Sequence, residues 1–289
     1  MRVVKIILLA TLAYAVAQPG QTGAAQNYFE SYVLALEWQP SWSLDACPSG
    51  ANPNAALINF MNSSASTYSR THLSLHGLWP NYNPILHKGF EWPQFCNGRG
   101  FNFSDCVKNM MDEHCQPNAD ALGRYNGTMS SGWQTWAPEY AYGDLAAHEW
   151  AKHGSCTIYN PQSTYLQHVY WGWQKDAMVN ISMGQGATLV TVNVGKSVSL
   201  DKLQAAFDAD AGGHRTTLVC QPTHPTAGCK LDQVWLGFEA EMPYNPGYPL
   251  TPLVMPSHGV NTISASTCDA YCGTTGVYIP EWKGCPVRK

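Results

Sequence analysis

The chain has 289 residues, and its 16 lysines and arginines against 20 aspartates and glutamates give a formal charge of −4. There is no basic tail or run of the kind that binds a nucleic-acid backbone by bulk charge. No apolar stretch reaches the ~20 residues needed to cross a bilayer, whereas the length is ample for a sizeable core.

Met1-Arg2-Val3-Val4-Lys5 is a charged start, followed by an apolar run from Ile6 to Ala17 that ends in Ala15-Val16-Ala17. Charged start, short apolar middle and small-residue exit predict a secretory signal peptide over 1–17. The expected mature domain is then 18–289, a single unit of 272 residues (289 less 17). Losing Arg2 and Lys5 leaves 14 basic against 20 acidic residues, a charge of −6. Ten histidines reverse part of that balance below pH ~6.5, so a polyanionic substrate is better tolerated in an acidic compartment.

Residues 32–38 predict the first strand, ended by Gln39-Pro40-Ser41. A short helix is expected around Ala56–Met61. His72-Leu73-Ser74-Leu75-His76 alternates with strand period, which puts His72, Ser74 and His76 on one face, and Gly77-Leu78-Trp79-Pro80-Asn81 then turns the chain away. Ser104 is a helix cap ahead of Val107, Met110 and Met111. Asp144 to His153 predicts a helix, with Asp144 as N-cap and Gly154 as its stop. A second helix starts near Pro161, its apolar stripe being Tyr165, Leu166, Val169, Tyr170, Trp173 and Ala177.

Thr188–Val194 alternates like a strand. Ser199–Phe207 reads as a helix closed by Gly212-Gly213. Thr216–Cys220 and Val234–Phe238 are strand candidates, and Met242–Ser257 is a Pro- and Gly-rich loop. No repeat or composition shift marks a second domain. Strands and helices are interspersed without a βαβ rhythm, so the expected class is α+β, with a central antiparallel sheet flanked by helices.

Ten cysteines behind a signal peptide predict a disulfide framework whose connectivity spacing does not give. Cys268-x-x-x-Cys272 has no second half at zinc spacing and belongs to that framework. Sequons at Asn62, Asn102, Asn126 and Asn180 are the expected glycosylation sites.

The chemistry concentrates in His148-Glu149-Trp150-Ala151-Lys152-His153-Gly154-Ser155-Cys156. On a helix His148, Lys152, Glu149 and His153 fall at about 0°, 40°, 100° and 140°, one sector, with Trp150 and Ala151 pointing elsewhere. Cations crowded beside a carboxylate suit an anionic ligand. A zinc protease needs its second histidine four residues after the first, where Lys152 stands, so no metal is expected. Ser155 lacks a nucleophile-elbow context. Phosphodiester cleavage by an internal 2′-hydroxyl fits better, because it needs a base, an acid and cations around phosphorus, but no metal. Trp79, beside His76, offers a face on which a base can stack.

His76-Gly77-Leu78-Trp79-Pro80 and the His148–Cys156 segment resemble the two active-site motifs of the ribonuclease T2 family, H-G-L-W-P and H-E-W-x-K-H-G-T-C. The resemblance extends to the opening strand, to Trp92-Pro93-Gln94-Phe95-Cys96 and to Gly284-Cys285-Pro286. It implies a ribonuclease T2-like, disulfide-stabilised fold and a secreted or vacuolar or lysosomal endoribonuclease. The partner would be RNA and not DNA, with no cofactor, no membrane after signal removal, and a monomeric chain. His153 is implied as general base and His76 as general acid, with His148 binding phosphate and Glu149 and Lys152 stabilising the five-coordinate transition state. Trp79 and Asn81 would line the base site. By the same analogy Cys96 bonds Cys156 and Cys220 bonds Cys285.

Ser155 stands where the family usually has Thr, and Asn81 where many relatives have Asp. Leu145-Ala146-Ala147 lacks the family's frequent aromatic pair. A non-catalytic secreted binding protein on the same scaffold is the alternative reading.

Overall fold

A computed structural model describes residues 31–41, 69–81, 149–156, 170, 171, 174, 181, 183–223, 228–239 and 267–283. Among them, strands β1 (Ser31–Glu37), β2 (Ser74–Asn81), β3 (Ser197–Val198), β4 (Thr217–Pro222), β5 (Cys229–Glu239) and β6 (Val277–Tyr278) form one sheet. Helices α1 (Gln185–Val192), α2 (Leu200–Asp210) and α3 (Thr267–Tyr271) flank it. The order is β2-β1-β5-β6-β3, with β4 also pairing β5. The class is α+β, as expected. The sheet is antiparallel except between β5 and β6, which run parallel.

β1 lies between β2 and β5 and is covered on both faces, so Tyr32 to Leu36 read as an unbroken apolar run rather than an alternating one. Tyr32, Leu34 and Leu36 join the main core with Leu75, Leu78, Val234, Leu236 and Phe238. Val33, Ala35 and Glu37 therefore face the other way. Trp38 ends the strand fully buried, its indole N–H donating to the Pro280 carbonyl at 3.0 Å.

Three expectations are corrected here. Gly77 to Asn81 does not turn away but continues β2, and His72 precedes the strand. Pro80 is tolerated because β2 is an edge strand, so its missing N–H breaks no second ladder. The alternating stretch after Thr188 is helix α1, not a strand. The cause is distant in sequence. The Asp210 carboxylate accepts from the amides of Gln185 and Gly186, both at 2.7 Å, satisfying two N–H groups that open the helix. Helix α2 matches its sequence reading: Ser199 caps it, accepting from the Lys202 amide, and Gly212 and Gly213 follow with φ of 68° and 88°.

The third correction is a disulfide. Cys220 is bonded to Cys268, not to Cys285, and Cys229 to Cys272. Cys268 lies on α3 and Cys272 directly follows it, one helical turn on, so the end of this short helix is fastened to both β4 and β5. In the chain-entropy account, loops of 48 and 43 residues make each bridge worth about 4 kcal/mol. The helices expected at Ala56–Met61 and after Ser104, the Met242–Ser257 loop, all four sequons, Asp144, Cys96 and Cys285 lie outside the described residues.

Candidate active site

His76 owes its direction to a β-bulge. Across the β1–β2 ladder Ala35 faces Gly77 and Leu36 faces Leu75, so His76 is the extra residue. In a regular strand, residues three apart point to opposite faces. The bulge cancels that alternation, and the His76 and Trp79 rings meet edge to face with centroids 5.2 Å apart.

Residues 149–152 are helical and Gly154–Cys156 form a 3-10 turn. The His153 amide donates to the Glu149 carbonyl at 2.9 Å, one helical turn that sets both side chains on the same side. Trp150, pointing the other way as its helical angle requires, is buried against Tyr170 and Trp171, with centroids 5.5 and 5.6 Å away. Trp171 was not in the expected apolar stripe. It is buried against Trp150 and Tyr170, and the Tyr170 hydroxyl donates to the Leu78 carbonyl of β2 at 2.9 Å. Gly154 ends the helix by close packing and not by a left-handed turn. A Cβ there would strike the Trp150 ring and lie 3.1 Å from Tyr170 Cε1. Ser155 is occupied structurally, its hydroxyl donating to the Ala151 carbonyl at 2.9 Å, and Cys156 is disulfide-bonded.

The helix thus lowers Glu149 onto the sheet face opened by Gly77. Glu149 is 1% exposed. One carboxylate oxygen accepts from the Trp79 indole N–H at 2.5 Å, and the other lies 3.5 Å from His76 Nε2. Trp79 also meets the buried His153 ring at 5.2 Å and a 32° tilt, and the Trp235 ring of β5 at 5.7 Å. Trp79 is therefore a ring that both histidines contact. Lys152, half-buried, lies near enough to act electrostatically on His76.

Burial alone would depress the His76 pKa. The hydrogen bond and charge of Glu149, with the charge of Glu37, outweigh it and push the imidazole from its usual 6.5 up to about 9. Burial pushes the Glu37 carboxyl up, with Asp232 and Glu149 adding repulsion and His76 opposing it. His76 is therefore cationic over the acidic and neutral range, sitting beside an acceptor carboxylate.

Of the residues singled out from sequence, His76, Trp79, Glu149, Lys152 and His153 are brought together. Asn81 is buried at the end of β2. His148 lies outside the described residues. Sequence reasoning missed Glu37 and Trp235. Both are signalled by strand parity, since each alternates with the core positions Leu36, Val234 and Leu236 and so shares the face of Gly77 and Trp79.

An α+β scaffold that holds two histidines and a glutamate around one tryptophan has the groups that general acid–base chemistry requires. The Ribonuclease T2 family model matches residues 29–245, and the chain belongs to that family. Intracellular ribonuclease LX of Solanum lycopersicum is 34% identical over 98 residues, a match spanning 32% of this chain and 31% of that relative's length. Among solved structures, RNase NT in complex with 5′-AMP superposes with a TM-score of 0.50 at 17% identity, covering 88% of this chain and 100% of that one. Actibind, a T2 ribonuclease, gives 0.51 at 14% identity, covering 91% and 93%. These two likenesses establish the shared fold.

Proposed function

We propose that this protein is an endoribonuclease that cleaves single-stranded RNA by attack of the 2′-hydroxyl on the adjacent phosphorus. The products are 2′,3′-cyclic phosphates and then 3′-phosphates. The observation that carries the reading is the meeting of His76 and Glu149 at 3.5 Å, with His76 and His153 both in ring contact with Trp79. Two imidazoles gathered at one indole supply the base and the acid that the entering and the leaving oxygen of a phosphate require.

The charge of His76 supports the assignment of roles. A group protonated up to about pH 9 enters the first step as the acid for the departing 5′-oxygen, which leaves His153 as the base for the 2′-hydroxyl. Having given up its proton, His76 is the base that activates water against the cyclic phosphate. His148, Glu149 and Lys152 serve the charge on phosphorus, and Trp79 and Asn81 the base. DNA, which lacks the nucleophile, is not a substrate, and no metal takes part.

The proposal includes export directed by residues 1–17, a single domain over 18–289 and a monomeric enzyme working outside the cell or in an acidic lumen. Among the described residues no helix is long and apolar enough to cross a membrane. The proposal also includes a Cys96–Cys156 bridge and glycans at Asn62, Asn102, Asn126 and Asn180. The test is digestion of RNA at mildly acidic pH with a chelator present. Cyclic phosphates should appear first and 3′-phosphates later. Loss of all cleavage in the chelator, or 5′-phosphate products, would contradict the mechanism.

A further inference from the structure

Glu149 is not the only carboxylate that acts on His76. Glu37 closes β1 in register with Ser74 of β2 and Gln233 of β5. The alternation that sends Leu34 and Leu36 into the core sends Glu37 to the face of Ala35, Gly77 and Trp79. Because His76 is the bulged residue between Leu75 and Gly77, it falls diagonally across the ladder from Glu37, within the span that a long side chain bridges. A second bulge lies behind them. Val219 faces Gln233 and Cys220 faces Leu231, leaving Asp232 as the extra residue of β5. Asp232 is buried and interacts with Glu37.

The groups around His76 are thus Glu37 from β1 and Glu149 and Lys152 from the helix, with His153 in contact with Trp79 and Asp232 of β5 acting on Glu37. Two carboxylates act on one imidazole against a single lysine, and a third carboxylate, Asp232, acts on Glu37. Such a concentration of like charge in a half-buried site is costly unless a cation sits in it.

We infer that Glu37 is a positioning residue for His76: from the sheet side, as Glu149 does from the helix side, it holds the imidazole in its protonated form and fixes it for proton delivery. The inference rests on the acid–base reading above, since it names the group that maintains the acid. Glu37 needs no contact with RNA or with the reacting atoms for this role. It acts through His76, and the electrostatic contribution of Glu37 to the raised affinity of His76 for its proton agrees with this.

The experiment is the titration of His76 followed by NMR in the whole protein, for the parent, Glu37→Gln and Glu37→Asp. Removing the charge with the isosteric amide should lower the His76 midpoint by about one unit, and the alkaline limb of kcat/KM on a dinucleoside phosphate should move down by the same amount. Glu37→Asp keeps the charge and should hold the midpoint within about half a unit of the parent. An unmoved midpoint in folded Glu37→Gln overturns the inference, as does an equal fall in both variants, which would mark a packing effect. Should the amide variant not fold, the aspartate variant decides alone, retention supporting the inference and a full-unit fall overturning it. The NMR readout needs no turnover. A parent that does not cleave RNA would sink the nuclease reading while leaving the role of Glu37 to be decided by the titration.

Discussion

His76→Phe and His153→Phe are each expected to lower kcat/KM for RNA by about 10²–10⁴, the usual contribution of a positioned acid or base. Phenylalanine keeps most of the ring volume, so the ring contact with Trp79 at 5.2 Å is largely retained in each variant while the exchangeable proton is lost. The double variant should be far less impaired than the product of the two single losses, because the groups act as a unit. The pH profile adds a signed expectation. In the proposed mechanism His76 is the acid and binds its proton up to about pH 9, so kcat/KM should fall as pH rises through that value. In His76→Phe that limb should vanish. Initial rates on a dinucleoside phosphate across pH check both points, and turnover within tenfold of the parent in either single variant would refute the assignment.

Gly77→Ala is expected to separate activity from stability. The added Cβ would collide with the Glu149 carboxylate and sit 2.6 Å from Trp79 Nε1. The carboxylate is the far end of a flexible side chain, so it can yield, and the fold should lose no more than about 1–3 kcal/mol. It cannot yield, however, without giving up the indole N–H at 2.5 Å or its place 3.5 Å from His76. Activity should therefore fall about 10²-fold, the scale of a catalytic group displaced by about an ångström. Thermal unfolding and steady-state kinetics on one preparation measure the two effects. Equal and small losses in both would show that Glu149 has no need of its position.

The local signals in the sequence were reliable where the cause is local. The first strand is visible as a closed apolar run because β1 is buried on both faces. Helix α2 is visible because Ser199 and Gly212-Gly213 punctuate it within its own neighbourhood. The site residues 149 to 153 are legible because a single helical turn arranges them, and His153 does bond back to Glu149.

What failed depended on partners far along the chain. Helix α1 carries Thr188, Val190, Thr191 and Val192, a β-branched run, and is helical because Asp210 caps it from α2. Cys220 found Cys268 because α3 lies against β4, a neighbour that spacing does not reveal. The bulge at His76 depends on pairing with β1, and so the strand could not be seen to run through Gly77 and Pro80. That bulge is also what brings His76 and Trp79 to one face. The motif residues were legible one by one, but the reason they meet lies in the strand beside them.

The central claim is that His76 from the sheet and His153 from the helix serve one phosphate. A crystal structure with a bound 2′-deoxy dinucleotide, which cannot cleave itself, tests this directly. The account predicts the leaving 5′-oxygen within hydrogen-bond reach of His76, about 2.6–3.2 Å, and the 2′ position turned toward His153. A phosphate seated elsewhere, or reached by only one of the two histidines, would contradict it.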